Sequence, residues 1–340
     1  MGRVVFLGIV LSAILGTLMA QVVLPGASPP QPPLGLPAVV WPADNPYSPA
    51  RVELGWYLFF DPRLSANAKV SCATCHPPDH AFAGGDPAPV GVPGTPLRRR
   101  SPTVINRAYG KSQFLDGRAA TLEAQIDGPI TAADEMATTR EAATDAISKI
   151  AGYRPLFARA FGDPAVTYDR IAKAIASFER TILSGNSPYD RFVHGDKNAL
   201  SAQAKRGQKI FERTGECSEC HKGFNFTNEE FASLGIGPDQ QPPDPGLAGI
   251  TRKSRDEGKF KVPTLREVAH TGPYMHDVRF KTLDDVLEFY RKGVRPDAHL
   301  DSRIAPFFLD APAKADLKAF LESLSGEGWQ QIKAPERLPE

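Results

Sequence analysis

Five residues, Cys72-Ala73-Thr74-Cys75-His76, and five more, Cys217-Ser218-Glu219-Cys220-His221, carry the clearest chemistry in this chain, and between them they use all four of its cysteines. A Cys-x-x-Cys-His run is the attachment signature of c-type haem: two thiols form thioethers to porphyrin vinyl groups, and the adjacent imidazole turns onto the iron. Two other readings use the same residues, a disulfide within each pair or one zinc site shared by four thiols. A disulfide has no need of the trailing histidine, and zinc ribbons space their cysteine pairs much more closely. Two copies with no cysteine left over favour two covalently bound haem c groups, with His76 and His221 as iron ligands.

The sixth ligand then decides whether each iron binds a small molecule or only passes electrons. Beyond the motif histidines the chain offers His80, His194, His270, His276 and His299, with internal Met136 and Met275. Tyr290 differs from these because it falls on the apolar stripe Leu283, Val286, Leu287, Tyr290, whose spacing turns one helix face inward. A buried phenol needs a partner for its oxygen, and spacing alone leaves open a backbone carbonyl or a metal.

A chain of 340 residues exceeds the usual size of one core, so two domains are expected, one around each motif. A net charge of +1 gives no reason to expect nucleic acid or an anionic membrane as a partner. Residues 1–20 read as an export signal or N-terminal anchor, with Arg3, an apolar run from Val4 to Leu18, and Ala20 as the cleavage residue. Thioether attachment follows export in bacteria, so a periplasmic location is expected, with membrane contact only through that segment. Residues 21–48 are proline-rich and read as an extended tether.

From Ser48 onward helical periodicity dominates. Ser48-Pro49 predicts a helix start; Ala143, Ala146, Ile147 and Ile150, and Ile171, Ile175, Phe178 and Ile182, have helical spacing. A short helix from Leu122 to Ile126 should end at Gly128-Pro129, another should run from Ser201 to Arg213, and the last from Asp310 to Gly326. No alternating strand pattern is evident, so the class is all-α, with long Pro/Gly-rich loops at 77–101 and 235–258, the second expected to be mobile. The expected domains are 49–186 and 187–328, meeting near Ser184-Gly185-Asn186-Ser187-Pro188, with 329–340 as a tail.

Several runs resemble the bacterial di-haem cytochrome c peroxidases and their MauG relatives: Phe60-Asp61-Pro62-Arg63-Leu64-Ser65, Ser101-Pro102-Thr103-Val104-Ile105-Asn106, Gln113-Phe114-Leu115-Asp116-Gly117-Arg118, Phe178-Glu179-Arg180-Thr181, Val262-Pro263-Thr264-Leu265-Arg266 and Pro273-Tyr274-Met275-His276-Asp277. They recur in the family's order, and the resemblance extends from Arg51 to Gly326. It implies two cytochrome c-like domains facing each other, a peroxide-reacting haem in the first and an electron-transfer haem in the second. It also implies an acid-base glutamate at Glu135 and a distal glutamine at Gln125. Such a pair suits heterolysis of peroxide, in which a base moves a proton from one oxygen to the other while a polar neighbour orients the molecule.

Three departures from the family pattern refine this. Val92 stands where family members that need reductive activation carry a blocking histidine, so an open N-terminal iron is expected, with His80 the one side chain in that loop able to close it. Tyr290 stands where typical peroxidases have methionine and MauG-type proteins have tyrosine; a phenolate lowers the iron potential and favours high-valent states. Leu115 replaces the family's tryptophan between the haems. The resemblance further implies calcium between the domains, held by backbone carbonyls of Thr271 and Pro273, yet Arg100 occupies the position of its asparagine ligand. The expected function is thus a MauG-like peroxidase using hydrogen peroxide and acting on a protein substrate or a redox protein donor, a cytochrome c or cupredoxin. A conventional cytochrome c peroxidase and a non-catalytic electron carrier are the alternatives.

Overall fold

The computed structural model describes residues 28–85, 88–293, 299–305 and 307–340; the expected export segment lies outside them. The N-terminal half carries α1 (Pro49–Phe60), α2 (Cys72–Cys75), α3 (Leu122–Gln125), α4 (Asp127–Thr131), α5 (Arg140–Ser148), α6 (Tyr153–Phe161) and α7 (Tyr168–Glu179). The C-terminal half carries α8 (Pro188–Val193), α9 (Ala202–Lys209), α10 (Ala248–Thr251), α11 (Leu283–Lys292) and α12 (Ala311–Glu322). The fold is mostly helical, and among the described residues one small sheet pairs β1 (Phe231–Ala232) antiparallel with β2 (Phe260–Lys261), Phe231 opposite Lys261. Two-residue strands are too short to leave an alternating pattern in the sequence.

Helix α1 starts as predicted, with the Ser48 hydroxyl accepting from Arg51 N–H and Pro49 in the first turn. It buries Leu54, Leu58 and Phe59 against α7, whose Ile171, Ile175 and Phe178 are also buried. Each such side chain contributes about 1.5–3 kcal/mol when fully removed from water. The backbones can cross this closely only because residue 55 is glycine: a Cβ there would lie 1.8 Å from the Ala174 carbonyl oxygen. A second apolar cluster joins Phe211, Leu283, Leu287, Leu317 and Phe320, and at its crossing of α9 with α12 a Cβ on Gly207 would lie 1.9 Å from the Asp316 carbonyl oxygen.

Several boundaries depart from expectation. Gly128-Pro129 does not end the helix at 122–126; Ile126 stays helical and α4 carries the turn on through both residues. Proline is tolerated there because it sits in the first turn of α4, where its missing N–H has no helical partner to lose. The helix expected at 201–213 is α9 followed by a π-helical turn, Ile210–Thr214, which Gly215 N–H closes onto the Ile210 carbonyl at 2.8 Å. Helix α12 stops at Glu322, and Gly326 N–H instead donates to Glu267 Oε1 at 2.6 Å.

The segments expected to be loose are docked. From Leu34 onward the proline-rich stretch is a strap on the body: Asn186 N–H donates to Leu34 O, Tyr109 to Pro37 O, and Asn45, fully buried, donates to Glu123 and Lys173 O. The final residues return to the N-terminal half, where Trp329 joins its core, Trp56 Nε1 donates to Lys333 O and Arg63 to Pro339 O. The 235–258 loop, expected to be mobile, is anchored by the buried carboxylate of Asp244 in an ion pair with Arg99 at 2.6 Å.

Candidate active site

Both Cys-x-x-Cys-His runs face one cavity of about 700 Å³, lined from both halves. All four cysteines are free thiols, which removes the disulfide reading. Among the described residues no three His, Cys, Asp or Glu side chains converge as a metal cluster, so the two pairs do not form a shared zinc site. Burial pushes the Cys75 thiol up to about 11 and that of Cys217 to about 12, and raises Cys72 and Cys220 as well.

The two histidines are held alike. Ser71 and Thr74 form a reciprocal cap that starts α2 and brings Cys72, Cys75 and His76 to the cavity wall. His76 Nδ1 lies 3.1 Å from Phe82 O, and His221 Nδ1 lies 3.1 Å from Phe226 O and 3.2 Å from Pro263 O. Burial pushes His76 down to about 4 and lowers His221 too, so both rings are neutral at pH 7. A neutral ring that gives its Nδ1 proton to a carbonyl leaves the Nε2 lone pair free for a metal. The acceptors need unusual backbone: Phe82 and Phe226 have φ of +53° and +49°, which costs a non-glycine residue roughly 1–2 kcal/mol. Thr103 and Thr264 steady these turns by donating to Ala81 O and Asn225 O, each at 2.6 Å. These residues fit haem at both motifs.

Glu135 and Gln125 both line the cavity, and Glu135 is close enough to the first motif for its charge to help raise the Cys72 and Cys75 thiols. Burial, reinforced by Asp134 and opposed by Arg118, raises the Glu135 carboxyl above its ordinary range. Its backbone is pinned by the long loop, with Val92 N–H donating to Glu135 O at 2.7 Å. His80 does not line the cavity; its Nδ1 lies 3.2 Å from Ala83 O. Of the five histidines outside the motifs, only His276 lines the cavity, stacked on Phe260 at 3.9 Å.

Tyr290 reaches the cavity from α11. Burial, with Cys217 and Cys220 close by, raises its phenol, and among the described residues nothing hydrogen-bonds its oxygen. The neighbouring Tyr274 shows the ordinary alternative, its hydroxyl donating to Val268 O at 2.8 Å. Leu115 also lines the cavity. Thr271, whose carbonyl the family resemblance assigned with that of Pro273 to a calcium ion, accepts through that oxygen from the Arg100 guanidinium. A fixed cation already occupies the approach to that oxygen.

One feature escaped sequence reasoning, an internal repeat much longer than the motifs. At a constant spacing along the chain, Arg100, Pro102, Thr103, Asn106, Gln113, Leu115, Thr121 and Pro129 match Lys261, Pro263, Thr264, Glu267, Tyr274, His276, Thr282 and Tyr290. The match is structural: Asn106 and Glu267 have φ of +61° and +60°, Gln113 bridges Ala119 as Tyr274 bridges Phe280, and Thr121 and Thr282 cap corresponding helices. The shared Pro-Thr and Asp-x-Arg signals would have revealed it. Where the second copy presents Tyr290, the first presents Pro129, which has no ligating atom; both line the cavity.

Comparison with known proteins agrees with this geometry. The family profile described as di-haem cytochrome c peroxidase matches residues 49–198. The methylamine utilization protein MauG of Methylorubrum extorquens is 40% identical over 293 residues, covering 85% of this chain and 82% of that protein. The cytochrome c551 peroxidase of Pseudomonas aeruginosa is 37% identical over 291 residues, covering 83% and 81%. A crystal structure of a MauG-like protein associated with microbial copper homeostasis superposes with a TM-score of 0.79 at 29% identity, covering 93% of this chain and 97% of that one. The chain belongs to the family of di-haem cytochrome c peroxidases and MauG proteins. It is an oxidoreductase of that peroxidase class.

Proposed function

We propose that this protein is an exported di-haem peroxidase of the MauG-like kind, with haem c bound covalently at Cys72/Cys75 and Cys217/Cys220 in two facing domains, 49–186 and 187–328. Peroxide reacts on the N-terminal side, and oxidising equivalents pass through a second centre closed by His221 and Tyr290. The observation that carries this reading is the contrast within the repeat, Pro129 on one side of the cavity and an unpartnered Tyr290 on the other. Export rests on Arg3 and the apolar run Val4–Leu18, together with the compartment that thioether attachment requires. Among the described residues, no helix is long and apolar enough to cross a membrane.

The haem groups, when bound, supply the redox chemistry, and the chain supplies ligands, proton handling and orientation. His76 and His221 offer Nε2 to the irons, their rings held by the carbonyls of Phe82 and Phe226. Glu135, as carboxylate, takes a proton from one peroxide oxygen and returns it to the other; its raised pKa suits both steps. Gln125, on the cavity wall, orients the peroxide through its amide, and Val92, which packs on the N-terminal core and does not line the cavity, has no side-chain atom able to close the site. On the second side Tyr290 must lose its phenolic proton to serve as a ligand, which burial opposes and a ferric charge offsets. A haem held by His221 and a Tyr290 phenolate would have a low potential and would be a poor entry point for electrons from a donor, which favours MauG-like action on a protein substrate.

Electron paramagnetic resonance of the holoprotein before and after one equivalent of hydrogen peroxide tests this. A high-spin signal from one haem and a low-spin signal from the other, both altered by peroxide, is expected. Two low-spin signals indifferent to peroxide would indicate an electron carrier, and peroxide turnover only after reduction would indicate a conventional peroxidase.

A further inference from the structure

Arg100 and Lys261 hold matching places in the two copies of the repeat, each just before its Ser-Pro-Thr or Val-Pro-Thr run, and each crosses to the other copy. Arg100 N–H donates to His276 O at 2.8 Å, and Lys261 N–H donates to Leu115 O at 2.8 Å. The side chains repeat the exchange: the Arg100 guanidinium donates to Thr271 O and the Lys261 ammonium to Ser112 O. Both residues line the cavity that faces the two Cys-x-x-Cys-His runs. The seam between the halves is therefore closed by two reciprocal cationic arms.

Their charge balance differs. Lys261 Nζ lies 3.8 Å from Glu229 Oε2, an acid that also receives Arg107 at 2.8 Å. Around Arg100, among the described residues, no acid lies within ion-pair reach, and its Nε is buried without a hydrogen-bond partner. The neighbouring arginines do not share this state. Arg99 pairs with both Asp116 and Asp244, each at 2.6 Å, and Arg98 reaches the carbonyl of Pro242. Burial pulls Arg100 down only to about 10, so it remains a cation at neutral pH. A guanidinium drawn out of water with a single carbonyl partner is unfavourable until an anion meets it. No such anion is supplied by the described side chains, and the open face of Arg100 is the cavity.

Resting on the haem reading above, we propose that Arg100 is the counter-cation of porphyrin carboxylates in the seam. A propionate from the haem side completes its pairing, so the chain carries its own fixed charge between the two sites and needs no free metal ion there. Arginine suits this role because its planar fork can bond the Thr271 carbonyl on one side while presenting further N–H groups to a carboxylate on the other. The same charge repels a divalent ion from the Thr271 carbonyl. With the cation removed, an uncompensated carboxylate would stabilise the ferric state, so the affected haem becomes harder to reduce.

The test uses full-length holoprotein of the wild type, Arg100→Gln and Arg100→Lys, each shown by intact mass to carry two haems, with the midpoint of each haem read by spectroelectrochemistry. A wild type without two haems would sink the parent reading itself, separately from the role of Arg100. Expected are a lower midpoint for at least one haem in Arg100→Gln, recovery of most of that shift in Arg100→Lys, and wild-type spectra and midpoints unchanged by a calcium chelator. Unchanged midpoints in a fully loaded Arg100→Gln overturn the proposal, as does a wild-type spectrum altered by chelator and restored by calcium. Should Arg100→Gln fail to assemble, Arg100→Lys decides alone. It must assemble with midpoints near those of the wild type, because the proposal rests on charge; failure to assemble, or a displaced midpoint, overturns it.

Discussion

The N-terminal and C-terminal copies of the repeat use one scaffold for two chemistries. Each crosses two of its helices at a glycine, α1 with α7 at Gly55 and α9 with α12 at Gly207, too tightly for any side chain. Each aims its haem-motif histidine by a carbonyl in a left-handed turn that a threonine steadies, through Thr103 or Thr264. Three of the differences are between side chains facing the cavity: Pro129 against Tyr290, Gln125 against Val286, Arg100 against Lys261. Packing positions tolerate little change because interiors are close-packed, whereas a cavity wall can exchange a proline for a phenol without rebuilding the core. A pair of electron-transfer sites and a pair of reactive sites would thus need nearly the same fold.

The most drastic way to break the asymmetry is Pro129→Tyr, which puts a phenol into the first copy at the place Tyr290 holds in the second. We expect the high-spin resonance to be lost and the reaction with peroxide abolished; a variant that still reacts at the wild-type rate would mean the two places are not equivalent. Glu135→Gln keeps the shape and removes the base. Stopped-flow rates with peroxide should fall about 10²–10⁴-fold. The wild-type rate should rise with pH through a pKa above the ordinary carboxylate range, since the deprotonated form is the base and burial raises the pKa, and the glutamine variant should lose that rise.

Two further comparisons probe what the copies share. Gly55→Ala and Gly207→Ala each force a Cβ to within 2 Å of a carbonyl oxygen, at 1.8 Å and 1.9 Å before any relaxation. Each should cost about 1–3 kcal/mol or more in urea unfolding, and tolerance of one but not the other would show that the crossings bear unequal loads. Thr103→Val and Thr264→Val remove matching hydrogen bonds and should cost about 0.5–1.5 kcal/mol each, with a small displacement of the corresponding haem spectrum. A larger spectral change at one motif would identify the histidine whose orientation depends more on its turn.

Much of this was legible in the residues. The Cys-x-x-Cys-His runs declare their chemistry at a range of four residues, and the stripe through Leu283, Leu287 and Tyr290 turns the phenol inward by helical geometry alone. Ser48, Thr282 and Asp310 announce helix starts because capping is a contact between near neighbours. Glu135 was another matter: as an isolated carboxylate it carries no signal, and only the family resemblance singled it out.

Local sequence determined which residues could bind haem and which helices would form, since those outcomes depend on contacts within a few residues. Tertiary structure alone decided that the proline-rich strap and the last residues pack on the body, that Arg99 ties down the loop at Asp244, and that Arg100 reaches the Thr271 carbonyl. Those contacts join residues tens to hundreds of positions apart, and their partners are chosen by where the chain folds back rather than by any pattern along it. The unpaired charge of Arg100 is the clearest case, because a buried cation is visible only once every acid around it has been placed.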